Sequence, residues 1–424
     1  MNPLETIQAL DALTAEPNQK SLWFMSELYW PEDRSTGFYV TAIAESAAAK
    51  LRVGVICSQP TYDAKGTRRP PAETRAGVSI YRTWNTTFNK NNLALRLVNA
   101  FTTCLSACLV GLRRVQRDDV IVCVTNPPFL PLVAWVIATL RQARYIVLVH
   151  DVYPGILGVA GAVRPDSLLF RAMQKLYNFL YRRAQGIIVI GQDMANRILD
   201  DCPQLAGKID LIRNWADAEA IAPEAVSANA LVRQLRLDDK FIIQFSGNIG
   251  RTHGAEILIE AAELLRDEPG IHFLIIGNGA KRICLEGEVV KRCLANITFA
   301  DYQPRESLSS TLCACHVALV TMAPGMLGLS VPSRSYNIMA AGRPMIAVAE
   351  NDSEVATMVS KLNTGWVVKP GCAQDLANAI RDARNSPDLL AAMSTRARNA
   401  ATTEYERGKT LHQYTKALTR FLAT

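Results

Sequence analysis

Three turns of the sequence combine glycines with side chains that can bind an anion. In the first, residues 241–254 (FIIQFSGNIGRTHG), an apolar run leads to Gly247 and Asn248, and Arg251 and His253 precede a helical pattern. A strand, a tight turn and a helix start in this order favour phosphate, because the backbone N–H groups and the helix dipole attract an anion. Arg251 and His253 are expected to add positive charge. The sequence predicts a diphosphate site here, with a tight turn that binds nothing as the alternative.

The second turn lies in residues 273–282 (FLIIGNGAKR), where Gly277 ends an apolar run and Lys281 and Arg282 follow. These cations either bind phosphate or a base edge, or they are solvated charges at the start of a helix. This turn is therefore a second candidate anion site.

The third segment is residues 325–344 (GMLGLSVPSRSYNIMAAGRP). A glycine-rich turn and Pro332 lead into a short helix predicted over residues 333–341, whose N-terminus presents N–H donors. Ser333 and Arg334 open this helix, where a positive charge opposes the helix dipole. A bound anion is the natural compensation for that charge, so this segment is expected to face the same ligand.

Two strand ends in the first half of the chain also carry chemistry. His150 and Asp151 follow the apolar run 145–149, which places two ionisable side chains at the mouth of a cleft. A structural histidine is the alternative. After the first strand, small residues reach Gly37 at the start of a helix, where they either admit a phosphate or sugar hydroxyl or form a simple capping loop.

Short apolar runs alternate with helical segments along the whole chain. The runs are 22–25, 53–57, 120–124, 145–149 and 187–190, then 241–245, 273–276, 297–299, 317–320, 345–348 and 365–368. This alternation is typical of parallel sheets covered by helices, and 424 residues are too many for one core. The predicted fold class is α/β, with two doubly wound, Rossmann-like domains. They are joined by a linker around residues 205–229 and face across a ligand-binding cleft.

The cysteines and the N-terminus indicate the compartment. None of the ten cysteines forms a metal-type CxxC pair, and residues 1–20 lack the apolar core of a secretory signal. Most of the cysteines, such as Cys104 and Cys284, lie in apolar patterns and are expected to be reduced, buried and structural. We therefore expect a cytoplasmic protein.

The positive charge is concentrated in the first half of the chain. Residues 1–200 contain 22 Lys plus Arg and 15 Asp plus Glu, whereas the two classes are equal in residues 201–424. Residues 93–112 and 129–140 are strongly apolar, but neither is expected to cross a bilayer, since the first contains polar residues and the second is too short. Each is either a core helix or an interfacial helix. With the basic excess they predict attachment to an anionic membrane surface, and no nucleic-acid pattern is present.

The order of these motifs resembles family 4 of the glycosyltransferases, which have the GT-B fold. FSGNIGRTHG, LIIGNGAK and VPSRSYNIMAAGRP are followed by DSEVA at 352–356 and GWVVKPG at 365–371. Four further motifs resemble the bacterial exopolysaccharide and O-antigen branch, which includes the colanic acid and N-acetylfucosamine transferases. They are YWPEDRSTG at 29–37, TNPP at 125–128, HDVYP at 150–154 and RNWAD at 213–217. The resemblance covers about residues 20–400.

This resemblance implies transfer of a sugar from a UDP-sugar to a lipid-linked (polyprenyl-diphosphate) glycan, with retention at the anomeric carbon. It implies no cofactor and no metal, because helix dipoles and basic side chains neutralise the leaving diphosphate. Residues 21–213 are then the acceptor-binding domain and residues 214–395 the nucleotide-sugar domain. Residues 1–20 form an extension, and helices at 396–424 pack back toward the first domain. The implied location is peripheral, on the inner face of the membrane.

Donor contacts are carried over by position. They place the diphosphate among the glycine turns and the segment that begins at Pro332. Asn337 falls where many relatives have the glutamate that holds the ribose, and Leu329 or Ser330 falls where they have a glutamate touching the sugar. The chain departs from that two-glutamate pattern, and Glu354 is the carboxylate expected to replace it at the ribose hydroxyls.

Acceptor contacts and catalysis are expected from His150 or Asp151, which would orient the acceptor, together with Arg251 at the phosphates. Two other classes of protein stay open. A nucleotide-sugar 2-epimerase has the same fold but is expected to carry more carboxylates and histidines in its cleft. A noncatalytic subunit would lend its basic, apolar first domain to a partner enzyme. A dehydrogenase is disfavoured, because no strand is followed by GxGxxG and a later acid.

Overall fold

The computed structural model of the protein describes residues 20–32, 35–60, 68–88 and 93–423. The first sheet contains β1 Leu22–Met25, β2 Val53–Ser58, β3 Ala72–Arg75, β4 Val78–Thr83, β5 Val120–Val124, β6 Arg144–Val149, β7 Gly186–Val189 and β8 Ile209–Leu211. The second contains β9 Phe241–Ser246, β10 Ile271–Ile276, β11 Ile297–Ala300, β12 Val317–Thr321, β13 Met345–Val348 and β14 Gly365–Val368. The predicted extension lies outside the described residues, apart from Lys20.

The helices alternate with these strands. In the first domain and linker they are α1 Ser35–Ala48, α2 Leu93–Arg114, α3 Leu130–Arg141, α4 Gly155–Val159, α5 Leu168–Arg183, α6 Gln192–Asp201 and α7 Ala230–Gln234. The second domain and C-terminus contain α8 Glu256–Leu264, α9 Arg282–Lys291, α10 Leu308–Cys313, α11 Arg334–Ala340, α12 Glu354–Leu362, α13 Ala373–Arg384, α14 Pro387–Thr403 and α15 Arg407–Ala423. Among the residues that the structure describes, no helix is both long and apolar enough to span a bilayer.

The first sheet has the strand order β3-β4-β2-β1-β5-β6-β7-β8. All its pairs are parallel except β3 with β4. Strands β1 (LWFM) and β5 (VIVCV) are buried along their whole length, because helices cover both faces of the sheet. This explains why such strands appear in the sequence as unbroken apolar runs.

The second sheet is entirely parallel and has the order β11-β10-β9-β12-β13-β14. In each sheet the strand order changes direction at the first parallel strand. Successive strands are added on one side of β1 and then on the other, and the same holds for β9 in the second domain. A crevice forms at the carboxyl ends of strands at such a switch point. Residues after β1 and β9 are therefore placed to meet a ligand.

The C-terminal helix α15 packs on helix α1 of the first domain. Tyr414 is buried in the core of that domain, and the Phe421 ring lies where a Cβ on Gly186 would be. Glycine at 186 thus allows close packing of β7 against α15. The chain returns to its first domain after completing the second.

The edge strand β3 and its neighbour β4 were not predicted. Strand β3 (AETR) has one buried residue, pairs antiparallel with β4 and lies at the sheet edge, so it lacks the apolar run of a central strand. The expectation that Cys284 is buried was also wrong. Its position on the outer surface of α9 leaves it exposed, although the ten cysteines are all free thiols.

Candidate active site

A cavity of about 230 Å³ lies between the two domains. Helix α1 and the linker form one side, and the ends of β9, β10 and β11 with helices α10 and α11 form the other. The lining residues are Ser35, Phe38, Tyr39, Asp217, Ser246, Gly247, Ile276, Tyr302, Gln303, Pro304, Arg305, Leu308, Thr311, Leu312, Ser333, Arg334 and Asn337. Four of these were predicted as donor-binding residues, namely Gly247, Ser333, Arg334 and Asn337.

Glycines 247 and 277 allow the two predicted turns to pack together. Gly247 has φ +139°, and a Cβ there would lie 3.2 Å from the Arg334 guanidinium carbon. Gly277 has φ +134°, and its Cβ would lie 2.0 Å from the Gly247 carbonyl oxygen. A side chain at either position would be strained and would displace its neighbour. Gly247 therefore shapes the cavity wall, and Gly277 supports the Gly247 turn from behind.

Arg334 supplies a cation to the cavity. Its guanidinium lies over the Phe245 ring, 4.5 Å from the ring centroid, and Nη1 donates to the Ser246 carbonyl at 3.2 Å. Within the described residues, no carboxylate oxygen lies within 4.0 Å of it. Burial lowers the pKa of Arg334 to about 10, so the side chain stays charged at neutral pH. A partly buried cation without a carboxylate is suited to an anionic ligand.

His253 is close to Arg334 but does not add charge in this state. Burial, followed by the positive charge of Arg334, lowers the pKa of His253 to about 3. Its Nδ1 is buried and has no hydrogen-bond partner among the described residues. The expected positive charge on His253 is therefore absent at neutral pH, because burial and the nearby Arg334 cation both disfavour the protonated ring.

Arg251, Asn248 and Lys281 lie around the rim of the two turns and do not line the cavity. Arg251 and Asn248 are exposed, and Lys281 forms an ion pair with Glu256 on helix α8. Arg251 makes no hydrogen bond or ion pair with any residue in the described part of the chain. The structure thus places one predicted cation, Arg334, at the cavity, whereas Arg251 and Lys281 do not line it.

His150 and Asp151 directly follow strand β6 in the first domain, as predicted. The Thr125 hydroxyl accepts from both backbone N–H groups at 3.2 Å and fixes this turn. The buried His150 ring has Nδ1 3.4 Å from the Thr36 hydroxyl, whereas Nε2 has no partner in the described residues. Burial lowers the pKa of His150 to about 4, so the ring is neutral at neutral pH.

The two domains touch at this strand end. Asp151 forms a backbone bridge with Ser330, the Ser330 hydroxyl donates to the His150 carbonyl at 3.3 Å, and Val152 N–H donates to the Leu329 carbonyl at 2.8 Å. Ser330 thus contacts the first domain, although it was expected at the donor. Nearby, the Ser35 and Ser333 hydroxyls share a hydrogen bond of 2.8 Å across the cleft.

Glu354 lies in a separate interdomain cluster. Its carboxylate is buried, accepts from Gln192 N–H at 2.7 Å and pairs with Arg213 Nε at 2.5 Å. Its own N–H donates to Asp193 of helix α6 at 3.1 Å. Both Glu354 oxygens are therefore used in holding the domains together, away from the cavity.

The predicted Gly37 lies inside the first turn of α1, where its Cβ would lie 2.4 Å from the Glu32 carbonyl oxygen. Glycine is needed there for close packing between the helix and the preceding loop. Pro332 does not line the cavity, although Ser333 beside it does.

Several lining residues were missed by sequence analysis. Arg305 lies over the Phe38 ring across the cleft, with its guanidinium carbon 4.8 Å from the ring centroid. Tyr302 belongs to the same loop, which follows the predicted strand β11. The rule that ligands bind at carboxyl ends of strands, applied to β11 as to its neighbours, was the available signal. Among the described residues, no three His, Cys, Asp or Glu side chains are grouped to hold a metal.

Comparison with known proteins agrees with this architecture. Residues 36–215 match the glycosyl transferase 4-like domain, and residues 228–400 match the glycosyl transferases group 1. The glycosyltransferase WbjE of Pseudomonas aeruginosa is 31% identical over 293 residues, which cover 69% of this chain and 72% of WbjE. The chain belongs to family 4 of the glycosyltransferases. It is a transferase enzyme, as the motifs predicted.

Other similar proteins include the colanic acid biosynthesis glycosyl transferase WcaI of Escherichia coli K12. It is 31% identical over 232 residues, covering 54% of this chain and 56% of WcaI. Sucrose-phosphate synthase of Thermosynechococcus elongatus superposes with a TM-score of 0.75 at 18% identity, covering 96% of this chain and 100% of that one. Anabaena HepE, solved with UDP-glucose, has a TM-score of 0.71 at 14% identity and covers 94% and 99%. These structures confirm the predicted GT-B fold.

Proposed function

We propose that this glycosyltransferase moves a sugar from a UDP-sugar to a lipid-linked glycan during synthesis of a bacterial cell-surface polysaccharide. The observation that carries the donor assignment is the Arg334 guanidinium, a partly buried cation at the cavity without a carboxylate neighbour. The relative WcaI is named for colanic acid biosynthesis, and the structural neighbour HepE was solved with UDP-glucose. The first supports a polysaccharide product, and the second supports a nucleotide-sugar donor.

Arg334 would act on the charge that develops during transfer. The bond between the anomeric carbon and the diphosphate oxygen breaks, and UDP leaves with the electron pair. The acceptor hydroxyl oxygen bonds to the anomeric carbon, and its proton passes to the departing phosphate. A fixed guanidinium beside the leaving oxygens stabilises this transition state, because it needs no reorganisation when the charge appears. We propose that the reaction needs no metal or cofactor and proceeds with retention.

His150 and Asp151 are proposed to orient the acceptor. The neutral His150 ring has one nitrogen without a partner among the described residues, which suits a hydrogen bond with a sugar hydroxyl. The first-domain side of the cleft also carries hydroxyl groups, including those of Ser35 and Thr36. The neutral ring and the hydroxyl groups can hold a hydroxyl acceptor without attracting the diphosphate.

We place the enzyme on the inner face of the membrane, as a peripheral protein. The cysteines are all free thiols, which fits a reducing compartment. The lipid-linked acceptor would be reached from the bilayer surface.

The test is transfer by the purified full chain in the presence of a chelator. UDP-, GDP- and dTDP-sugars are each offered with polyprenyl-diphosphate glycans, and products are identified by mass and by the anomeric configuration in NMR spectra. We expect transfer from a UDP-sugar with the donor's configuration retained. Absence of both transfer and UDP binding would refute the proposal. Transfer that occurs only after a divalent ion is added would refute metal independence.

A further inference from the structure

Helix α2 carries a ridge of exposed apolar side chains. Leu97, Phe101, Leu105 and Leu109 recur at every fourth position, and each is at least half exposed, with Phe101 reaching 65%. Residues four apart lie on neighbouring turns of one helix side. The opposite side of α2 packs on the first domain, where Ile137 of α3 lies so close to Gly111 that a Cβ there would be 2.4 Å away.

The segment 84–88 is fixed alongside this ridge by polar side chains of α2. Asn99 accepts from Phe88 N–H at 3.0 Å and donates to its carbonyl at 2.9 Å. The Thr102 hydroxyl accepts from Thr86 N–H at 3.2 Å, and Ser106 donates to the Trp84 carbonyl. The polar residues that make α2 unsuitable as a membrane span therefore bind this segment by hydrogen bonds. They hold the segment while Trp84 and Phe88 remain exposed.

Together these residues form what we call the α2 surface: Trp84, Phe88, Leu97, Val98, Phe101, Leu105 and Leu109. Of the 18 large apolar side chains exposed in the described part of the chain, these seven lie within 26 consecutive residues. Exposed apolar side chains scattered singly are ordinary, but a contiguous group marks a binding surface. The second apolar stretch differs, because Ala134 and Ile137 of α3 are buried. It is mainly a core helix.

The segment that carries the α2 surface has an excess of positive charge. No Asp or Glu occurs between Glu73 and Asp118, whereas residues 84–117 contain five Lys and Arg. Arg113 and Arg117, at the end of the ridge, are exposed, and Arg117 Nε lies 3.8 Å from the carboxylate of the exposed Asp118. An apolar face bordered by exposed cations complements an anionic phospholipid surface, which attracts Lys and Arg side chains that lie close to it. A protein partner would not require this combination.

The α2 surface also begins at the carboxyl ends of the first sheet's strands, which is the end of the sheet that the active site uses. Trp84 directly follows β4, and His150 directly follows β6, so both lie at carboxyl ends of parallel strands in one sheet. A bilayer bound at the α2 surface would lie beside the acceptor side of the cleft.

We propose that the α2 surface docks on an anionic phospholipid bilayer and presents the acceptor wall to lipid-linked substrate. The role of this surface in catalysis rests on the proposed lipid-linked acceptor, whereas its binding to the bilayer does not. Helix α2 lies along the interface, with Phe101 and Leu105 entering the acyl boundary and Arg113 and Arg117 at the head groups.

The experiment measures sedimentation of the full chain with vesicles of phosphatidylcholine mixed with phosphatidylglycerol. The variant Phe101→Glu/Leu105→Glu is compared with wild type and with Ile283→Glu/Val290→Glu. The control pair lies on α9 of the other domain and is 84% and 77% exposed. We expect the α2 variant to bind at least about tenfold more weakly. Two large apolar side chains are no longer buried in the bilayer, and two negative charges are repelled by the anionic lipid. The control variant should bind like wild type.

Unchanged UDP affinity and melting temperature would show that both variants fold. Wild-type binding should also fall when salt is raised and when phosphatidylglycerol is omitted, since charge attraction is then screened or removed. Equal vesicle binding by all three proteins would overturn the proposal. So would a wild-type dimer that the α2 variant dissociates while vesicle binding is absent, because a second copy would then cover the surface.

A second measurement separates docking from chemistry. Transfer is assayed with a long-chain lipid-linked acceptor in vesicles and with a short-chain, water-soluble analogue. The α2 variant should lose about tenfold in rate with the vesicle acceptor and keep its rate with the soluble one. Equal loss with both acceptors would contradict docking. If wild type transfers to neither acceptor but still binds vesicles through the α2 surface, the proposed function fails and the docking surface stands.

Discussion

The two walls of the cleft differ in charge although each contains a histidine whose pKa is lowered by burial. On the second domain, neutral His253 lies beside the charged Arg334. On the first domain, neutral His150 lies beside the Thr36 hydroxyl, and burial alone lowers its pKa. A diphosphate leaving group needs fixed positive charge, whereas a sugar hydroxyl needs neutral hydrogen-bond partners. The difference in charge therefore supports the proposed placement of the donor at the second domain and of the acceptor at the first.

Replacement of Arg334 is expected to have the largest effect on donor binding. Arg334→Gln removes a charge-assisted contact of about 1.5–3 kcal/mol, so UDP affinity should fall about ten- to a hundredfold. Stability without ligand should not fall, since the variant removes a cation whose burial is not compensated by a carboxylate. Calorimetric titration with UDP and thermal unfolding measure the two quantities.

Arg343→Gln is the matched control for that variant. Arg343 lies just after helix α11, is also partly buried, and donates to the carbonyls of Glu224 and Cys313. Its replacement should lower stability by about 1–2 kcal/mol and leave UDP affinity unchanged. Equal losses of affinity and stability in both variants would remove the distinction between a ligand-binding arginine and a structural one.

The pH dependence of stability tests the neutral state of the first wall. The folded protein keeps His150 neutral down to about pH 4, whereas an unfolded chain protonates it below about pH 6.5. Because the folded-state pKa is lowered, this contribution is complete above pH 6.5 and is lost as the pH falls toward 4. Between pH 7 and pH 5, His150→Asn should lose about 1–2 kcal/mol less unfolding free energy than wild type. Urea unfolding at both pH values measures this, and parallel losses would show that His150 is not held neutral.

Glu354 tests whether a contact stabilises the domains or binds the donor. Glu354→Gln weakens the pair with Arg213, and we expect a loss of about 1 kcal/mol because the Arg213 side chain is 38% exposed. UDP affinity should stay within about twofold of wild type. A fall in UDP affinity with unchanged stability would instead favour the sequence prediction that Glu354 holds the ribose.

Arg251 is expected to show the smallest effect. Its exposed position outside the cavity lining predicts a loss of at most about fivefold in UDP affinity for Arg251→Ala, and a stability change within about 0.5 kcal/mol. Titration beside Arg334→Gln gives the ranking directly. A greater loss for Arg251→Ala would move the phosphate contact to the rim of the turn, as the sequence suggested.

The contrast between predicted and missed residues has a physical cause. The bounds of β1, β5 and β13 were predicted because buried parallel strands appear as unbroken apolar runs. Gly247 and Arg334 were predicted because a tight turn and a helix start have local sequence patterns. The edge strand β3 has no such run, since part of it is exposed.

Contacts between distant segments could not be read from local patterns. Arg305 meets Phe38 only when the two domains face each other, although 267 positions separate them in the sequence. Likewise, α2 and α3 were alike as apolar stretches, and only packing of the folded chain buries one and exposes a ridge of the other. The neutral state of His253 follows from its burial beside Arg334, which sequence spacing does not show.

A crystal structure with UDP, grown in the presence of a chelator, tests the central claim most directly. We expect the diphosphate in the interdomain cavity, with its oxygens within hydrogen-bond distance of the Arg334 guanidinium and beside the Gly247 turn. No metal ion should be needed to hold it. UDP bound outside this cavity, or held there through a divalent ion with no contact to Arg334, would contradict the assignment of Arg334 as the cation that stabilises the leaving group.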